Sequence, residues 1–214
     1  MRVVILPRGD GWNSRTHTVI DTESKLAPAP VAPVAATATL PPAGLNLGFL
    51  TILDDRSGVF GGYLITNSWG RPLEFRLSTA VQPNRVQQIL YGPTLTEYLH
   101  ADLIGKALIE KSSVQPGLLI VDTLPALALR QKLGVPTVWI GEPSSDTSGF
   151  ELHELTHARC RTRLAIPTSL AGELVAIVER LDRIDSAVEL SEPFGRIREA
   201  VAEARKMGVT NRAA

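Results

Sequence analysis

The order of apolar runs between Gly48 and Ile140 predicts a mixed α/β fold. Three observations carry it. Three strand-like runs follow one another with short turns between them: Leu47–Asp54, Val59–Asn67 and Pro72–Val81. A helical stretch then leads into a wholly apolar run, Leu118–Val121, that ends in Asp122. A second short helix and a second apolar run, Val135–Ile140, complete a βαβ pattern. Short turns between successive strands imply antiparallel pairing, whereas a helical crossover implies parallel pairing, so the sheet is expected to be mixed. Five or six strands are expected in all.

The first run, LGFLTILD, is a buried-type strand that ends at Asp54, with Asp55-Arg-Ser-Gly58 making the turn. Aspartate suits such a turn because its carboxylate accepts backbone N–H bonds two residues on. Gly61-Gly62 in the second run signals a bulge or a close backbone approach. Ser68-Trp-Gly-Arg71 turns into the third run, which alternates with Leu73, Phe75 and Leu77 on one face and Glu74 and Arg76 on the other.

Thr94 and Glu97 have the spacing of a capping box, predicting a helix over Leu95–Lys111 with Leu95, Tyr98, Leu99, Leu103, Ala107 and Ile109 toward the core. Leu118–Val121 carries no polar face, as in a strand covered on both sides. A helix over Leu124–Leu133, stopped by Gly134, precedes Val135–Ile140. Beyond a polar loop, residues 158–166 alternate, with Arg159, Arg161 and Arg163 on one expected strand face and Cys160 on the other. Two helices close the chain, Ser169–Leu181 and Phe194–Met207, the latter with Pro193 near its first turn.

The α/β domain is thus expected over 45–214. Ahead of it, residues 1–44 hold a possible short strand at Val3–Leu6 and a Pro/Ala-rich stretch over 25–44, with five prolines between Pro28 and Pro42. Proline fixes φ and removes backbone donors, so this stretch reads as an extended, semi-rigid arm.

Bulk properties narrow the function. Lys and Arg total 22 and Asp and Glu total 22 over 214 residues, so the formal net charge is zero. A chain devoted to gripping phosphate backbone usually carries a basic excess, so a protein partner is favoured over nucleic acid. The single Cys160 allows no intrachain disulfide and fits a reducing compartment, here the cytoplasm. No run is long and apolar enough to span a membrane.

Three antiparallel strands, a helix, a strand, a helix and a strand is also the order of the RNase H-like superfamily. The stretch from Tyr91 to Gly141 resembles the corresponding part of endonuclease V in its helix, apolar strand ending in Asp, helix, and strand with a proline near its start. That resemblance implies carboxylates at the ends of the first and fourth strands holding Mg²⁺ or Mn²⁺ to activate water against a phosphodiester. Asp54 or Asp55 and Asp122 would be the ligands, with Glu97 or Glu110 as a third. The chain departs from the endonuclease V pattern in two places. The run after Asp122 is Thr-Leu-Pro125 rather than Gly-rich, and the aromatic wedge between third strand and helix is missing. Asp122 equally suits a cap for the helix at Leu124.

His153-Glu154-Leu-Thr-His157 matches the H-E-x-x-H pattern and resembles the zincin metallopeptidases. On a helix both imidazoles would face one Zn²⁺, with Glu154 handling the water proton and Glu173 as the nearest acidic third ligand. Flanking polar residues and the strand-like alternation from Ala158 favour an exposed connector instead. Trp69 and Arg71 at a hairpin tip, and the Arg159, Arg161, Arg163 set, are the candidate binding residues. Taken together, a non-catalytic binding or scaffold module is the leading expectation, no cofactor is expected in it, and the metal-dependent nuclease is the alternative.

Overall fold

The computed structural model describes residues 3–5, 44–142 and 144–207. Apart from β1 (Val3–Ile5) and Gly44, the N-terminal segment and its Pro/Ala-rich arm lie outside the described residues, as does the tail after Met207.

The molecule is a mixed α/β structure around one eight-stranded sheet, more strands than the sequence suggests. The strands are β1, β2 (Asn46–Asp55), β3 (Gly58–Asn67), β4 (Pro72–Ser78), β5 (Leu118–Val121), β6 (Thr137–Gly141), β7 (Leu152–Leu155) and β8 (Arg163–Pro167). Across the sheet they run β1-β4-β3-β2-β5-β6-β8-β7. β2, β3 and β4 form the antiparallel meander. β5 lies beside β2 and parallel to it, with Leu47 opposite Leu118 and Leu50 opposite Val121, and β6 continues the parallel set. β8 and β7 extend it antiparallel.

Strand alternation divides the core in two. Leu47 and Phe49 of β2, Leu118 and Ile120 of β5, and Leu164 and Ile166 of β8 face α5 (Leu174–Asp182) and α6 (Glu192–Lys206). Leu50, Ile52, Leu119, Val121 and Trp139 face the opposite layer. That layer holds α2 (Leu95–Glu97), a π-helical stretch (Tyr98–Gly105), α3 (Lys106–Glu110) and α4 (Leu129–Leu133). A fully buried side chain of this size contributes about 1.5–3 kcal/mol, so both faces of the short β5 are heavily stabilised.

The glycine pair in β3 serves both layers. A Cβ on Gly61 would stand 2.5 Å from Ile104 of the π-helical stretch, and one on Gly62 would stand 2.5 Å from Ile197 of α6. Helices therefore seat closely on both sides of one strand. The β3–β4 irregularity lies elsewhere, at Ile65/Thr66.

Several local expectations are corrected. The helix after Pro93 carries a π-helical stretch, which shifts its buried face: Leu99 and Ile109 are buried as expected, Ala101, Ile104 and Leu108 join them, and Leu103 and Ala107 are only partly buried. Thr94 makes no capping bond. The capping box belongs instead to α1 (Arg85–Tyr91), between Asn84 and Gln87. Residues 158–162 are turn and bend rather than strand, so Arg159, Arg161 and Arg163 do not share a strand face. No described helix is long and apolar enough to cross a membrane.

Candidate functional site

The carboxyl ends of parallel strands are where open α/β sheets most often bind ligands. Here the ends of β2, β5 and β6 meet α6. Strand parity decides which carboxylates can converge there. Thr51, Leu53 and Asp55 project toward α6, whereas Asp54, one residue out of phase, projects toward the opposite layer. Asp122 lies on the α6 side, beside Thr51 rather than beside either acidic residue of β2.

Thr51 is fully buried and its hydroxyl donates to Asp122 Oδ2 at 2.6 Å. Arg198 of α6 donates Nη2–H to the same oxygen at 2.5 Å. The Asp122 side chain is only 12% exposed, and Oδ1 has no protein partner among the described residues. Burial pushes the Asp122 carboxyl above its ordinary range, an effect opposed by the Thr51 bond and the Arg198 charge. A cavity of about 260 Å³ opens beside it, lined by Asp122, Ile140, Glu142, Ser145, Thr162, Phe194 and Arg198.

The remaining acidic candidates lie apart from this centre. Asp55 is four residues further along β2 than Thr51, roughly 13 Å at about 3.3 Å per residue. Its carboxylate accepts N–H and O–H bonds from Ser57, the expected turn chemistry, and pairs with Arg205 of α6. Those contacts, Ser57 foremost and then Arg205, lower its pKa to about 2. Asp54 lies near His100 on the other face. Glu97 and Glu110 belong to that same opposite layer, and Glu110 pairs with Lys106. Neither Asp54 nor Asp55 therefore shares a centre with Asp122. Nor does Asp122 cap the following turn: its carboxylate is committed to Thr51 and Arg198, and Thr123 occupies the cap position.

A Mg²⁺ or Mn²⁺ pair needs several oxygen donors of negative charge converging at about 2.1 Å from each ion. The cavity offers two carboxylates, Asp122 and Glu142, with flanking hydroxyls, and the Arg198 guanidinium already occupies Asp122 Oδ2, a set that does not fit a pair of such ions. Among the described residues, no three His, Cys, Asp or Glu side chains are arranged to share a metal ion.

The H-E-x-x-H residues do not form a helix. Leu152–Leu155 is edge strand β7, and residues 156–157 carry no regular structure. The helical alignment that would set positions i and i+4 about 6 Å apart is therefore lost, with His153 in the edge strand and His157 beyond its end. His157 Nδ1 accepts the Arg159 N–H, which leaves Nε2 as the protonated nitrogen, 3.0 Å from Asp182 Oδ1. Glu154 is held by Arg163, and Glu173 makes a bidentate pair with Arg130.

The candidate binding residues spread over two regions. Trp69 is 56% exposed, and Asn67 Oδ1 accepts the N–H groups of both Trp69 and Arg71, fixing the hairpin tip. A cavity of about 320 Å³ lies beside Trp69, against Val188, Glu192 and Arg196. The loop of residues 183–191 links this tip to the 158–162 turn. Arg159 donates to the Ile184 carbonyl, and Arg161 reaches Glu189 at 3.7 Å while staying 92% exposed. Arg163 is elsewhere: its guanidinium lies over the Trp139 ring and holds Glu154. Gly141 makes room for that indole, since a Cβ there would meet it at 2.0 Å. Cys160 is buried, and burial pushes its thiol upward, away from nucleophilic use.

Sequence reasoning missed Thr51 and Arg198. The one available signal for Thr51 was a hydroxyl inside an otherwise apolar strand. Arg198 carries none, because its role depends on where α6 crosses the sheet. No protein-family model matches the chain, and no curated protein matches it by sequence.

Proposed function

We propose that this chain is a non-catalytic binding module on an RNase H-like α/β domain, with a protein as its partner and the Pro/Ala-rich arm over 25–44 as its tether. The strand order β4-β3-β2-β5-β6, with the first three antiparallel and the next two parallel to β2, supports the RNase H-like part of the reading. The observation that carries the non-catalytic part is the partner set of Asp122: a threonine hydroxyl at the neighbouring strand position and a guanidinium on the same oxygen. A two-metal centre would require carboxylates there, and a cation approaching Asp122 meets the positive charge of Arg198. In this reading the working compartment is the cytoplasm, in keeping with one buried thiol.

The test is cleavage. The purified full chain is incubated with single- and double-stranded DNA and RNA in Mg²⁺ or Mn²⁺. No turnover above the metal-only control is expected. Metal-dependent cleavage that disappears in Asp122→Asn would establish the nuclease instead.

A further inference from the structure

Strand β7 ends the sheet: it pairs with β8 on one side and with no described strand on the other. Beside it runs a groove of about 190 Å³ between the start of β7 and the 3₁₀ turn Leu124–Ala128. Leu124, Leu127, Leu152 and Leu170 line it with hydrocarbon, and Phe150 stands at its rim, 42% exposed. Glu97 and Glu151 also line it. Both are exposed, and neither carboxylate has a salt bridge or side-chain hydrogen bond to a described residue. The cations of the adjoining α4 are already neutralised, Arg130 by Glu173 and Lys132 by Asp102. The groove is therefore apolar in its floor and negative at its rim.

We propose that the β7 edge and this groove dock an extended peptide of a protein partner, one that places an apolar side chain two residues from a lysine or arginine. An added strand satisfies the open N–H and C=O groups of β7, and its alternate side chains fall on one face, toward the groove. The apolar side chain packs against Phe150 and Leu124. The basic one meets Glu97 and Glu151, which selects against acidic sequences. Glu154, held by Arg163, keeps the edge soluble without repelling such a partner. This inference rests on the binding-module reading, and the two fail separately. Metal-dependent cleavage would remove the module reading, whereas the experiment below addresses only the edge.

The full chain, labelled with ¹⁵N, is titrated with a blocked peptide in which valine and lysine take turns at every second position with threonine between them, and with the same peptide carrying glutamate for lysine. The lysine peptide is expected to shift the amides of residues 150–155. Its affinity should fall about tenfold or more in Phe150→Ala and in Glu97→Gln/Glu151→Gln, and should weaken at high salt. These positions are exposed, so an unchanged Tm confirms that the variants fold. No binding, equal binding of the glutamate peptide, or shifts centred on Trp69 or Asp122 would overturn the proposal. So would edge shifts that appear with protein concentration alone and a doubled mass in light scattering, which would make a second copy of the chain the occupant.

Discussion

Arg198→Ala, alone and combined with Asp122→Asn, is the most direct probe of the site. Two unit charges about 4 Å apart attract by about 4 kcal/mol at an effective dielectric of about 20. The Arg198 side chain is 52% exposed, so water screens the pair and the net contribution falls to about 1 kcal/mol. Removing the guanidinium also leaves the buried Asp122 carboxylate with the Thr51 hydroxyl as its remaining side-chain donor, costing about 1 kcal/mol more. Arg198→Ala should therefore destabilise the fold by about 2 kcal/mol, a fall of roughly 4–8 °C in Tm for a chain of this size. Asp122→Asn alone should cost less than about 1 kcal/mol. It removes a charge whose burial is unfavourable, and Arg198 turns outward to solvent. In the Asp122→Asn background, Arg198→Ala should then have little further effect. Thermal unfolding followed by circular dichroism, with urea unfolding for free energies, measures all four corners of the cycle. Strictly additive losses, or an Asp122→Asn variant that loses more than Arg198→Ala, would refute the account of a buried carboxylate held by one mobile cation.

Two further outcomes follow from packing and from titration. Gly62→Ala drives a methyl into Ile197 of α6 and should destabilise by about 1–3 kcal/mol, with Ile197→Val recovering part of the loss; an unchanged Tm would contradict the close seating of α6 on β3. Burial lowers the His100 pKa from 6.5 to about 4, with Asp54 acting the other way. The unfolded chain thus takes up a proton that the folded one refuses. The stability this contributes is complete above about pH 6.5 and is lost as pH falls toward about 4. His100→Gln should flatten urea-measured stability across that window. The lower limb owed to Asp55, whose contribution is present above about 3.8 and lost toward about 2, should remain.

The sequence by itself determined the element types from β2 to β6 and the mixed character of the sheet. Runs such as LGFLTILD and LLIV are too apolar for anything but strands buried on both faces, and turn length sets antiparallel or parallel pairing. It also held the Asp55–Ser57 turn and the close approach at Gly61-Gly62. These are local signals, read from a residue and its near neighbours. Tertiary structure alone decided the site. Register set Thr51, not Asp54 or Asp55, beside Asp122, because a shift of a few residues along β2 changes both the face and the distance of every side chain. The crossing of α6 supplied Arg198, 76 residues away along the chain. Pairing with β8 drew Leu152–Leu155 into an edge strand and so pulled apart two histidines that a helix would have aligned. Such outcomes depend on packing between distant segments, and no local pattern encodes them.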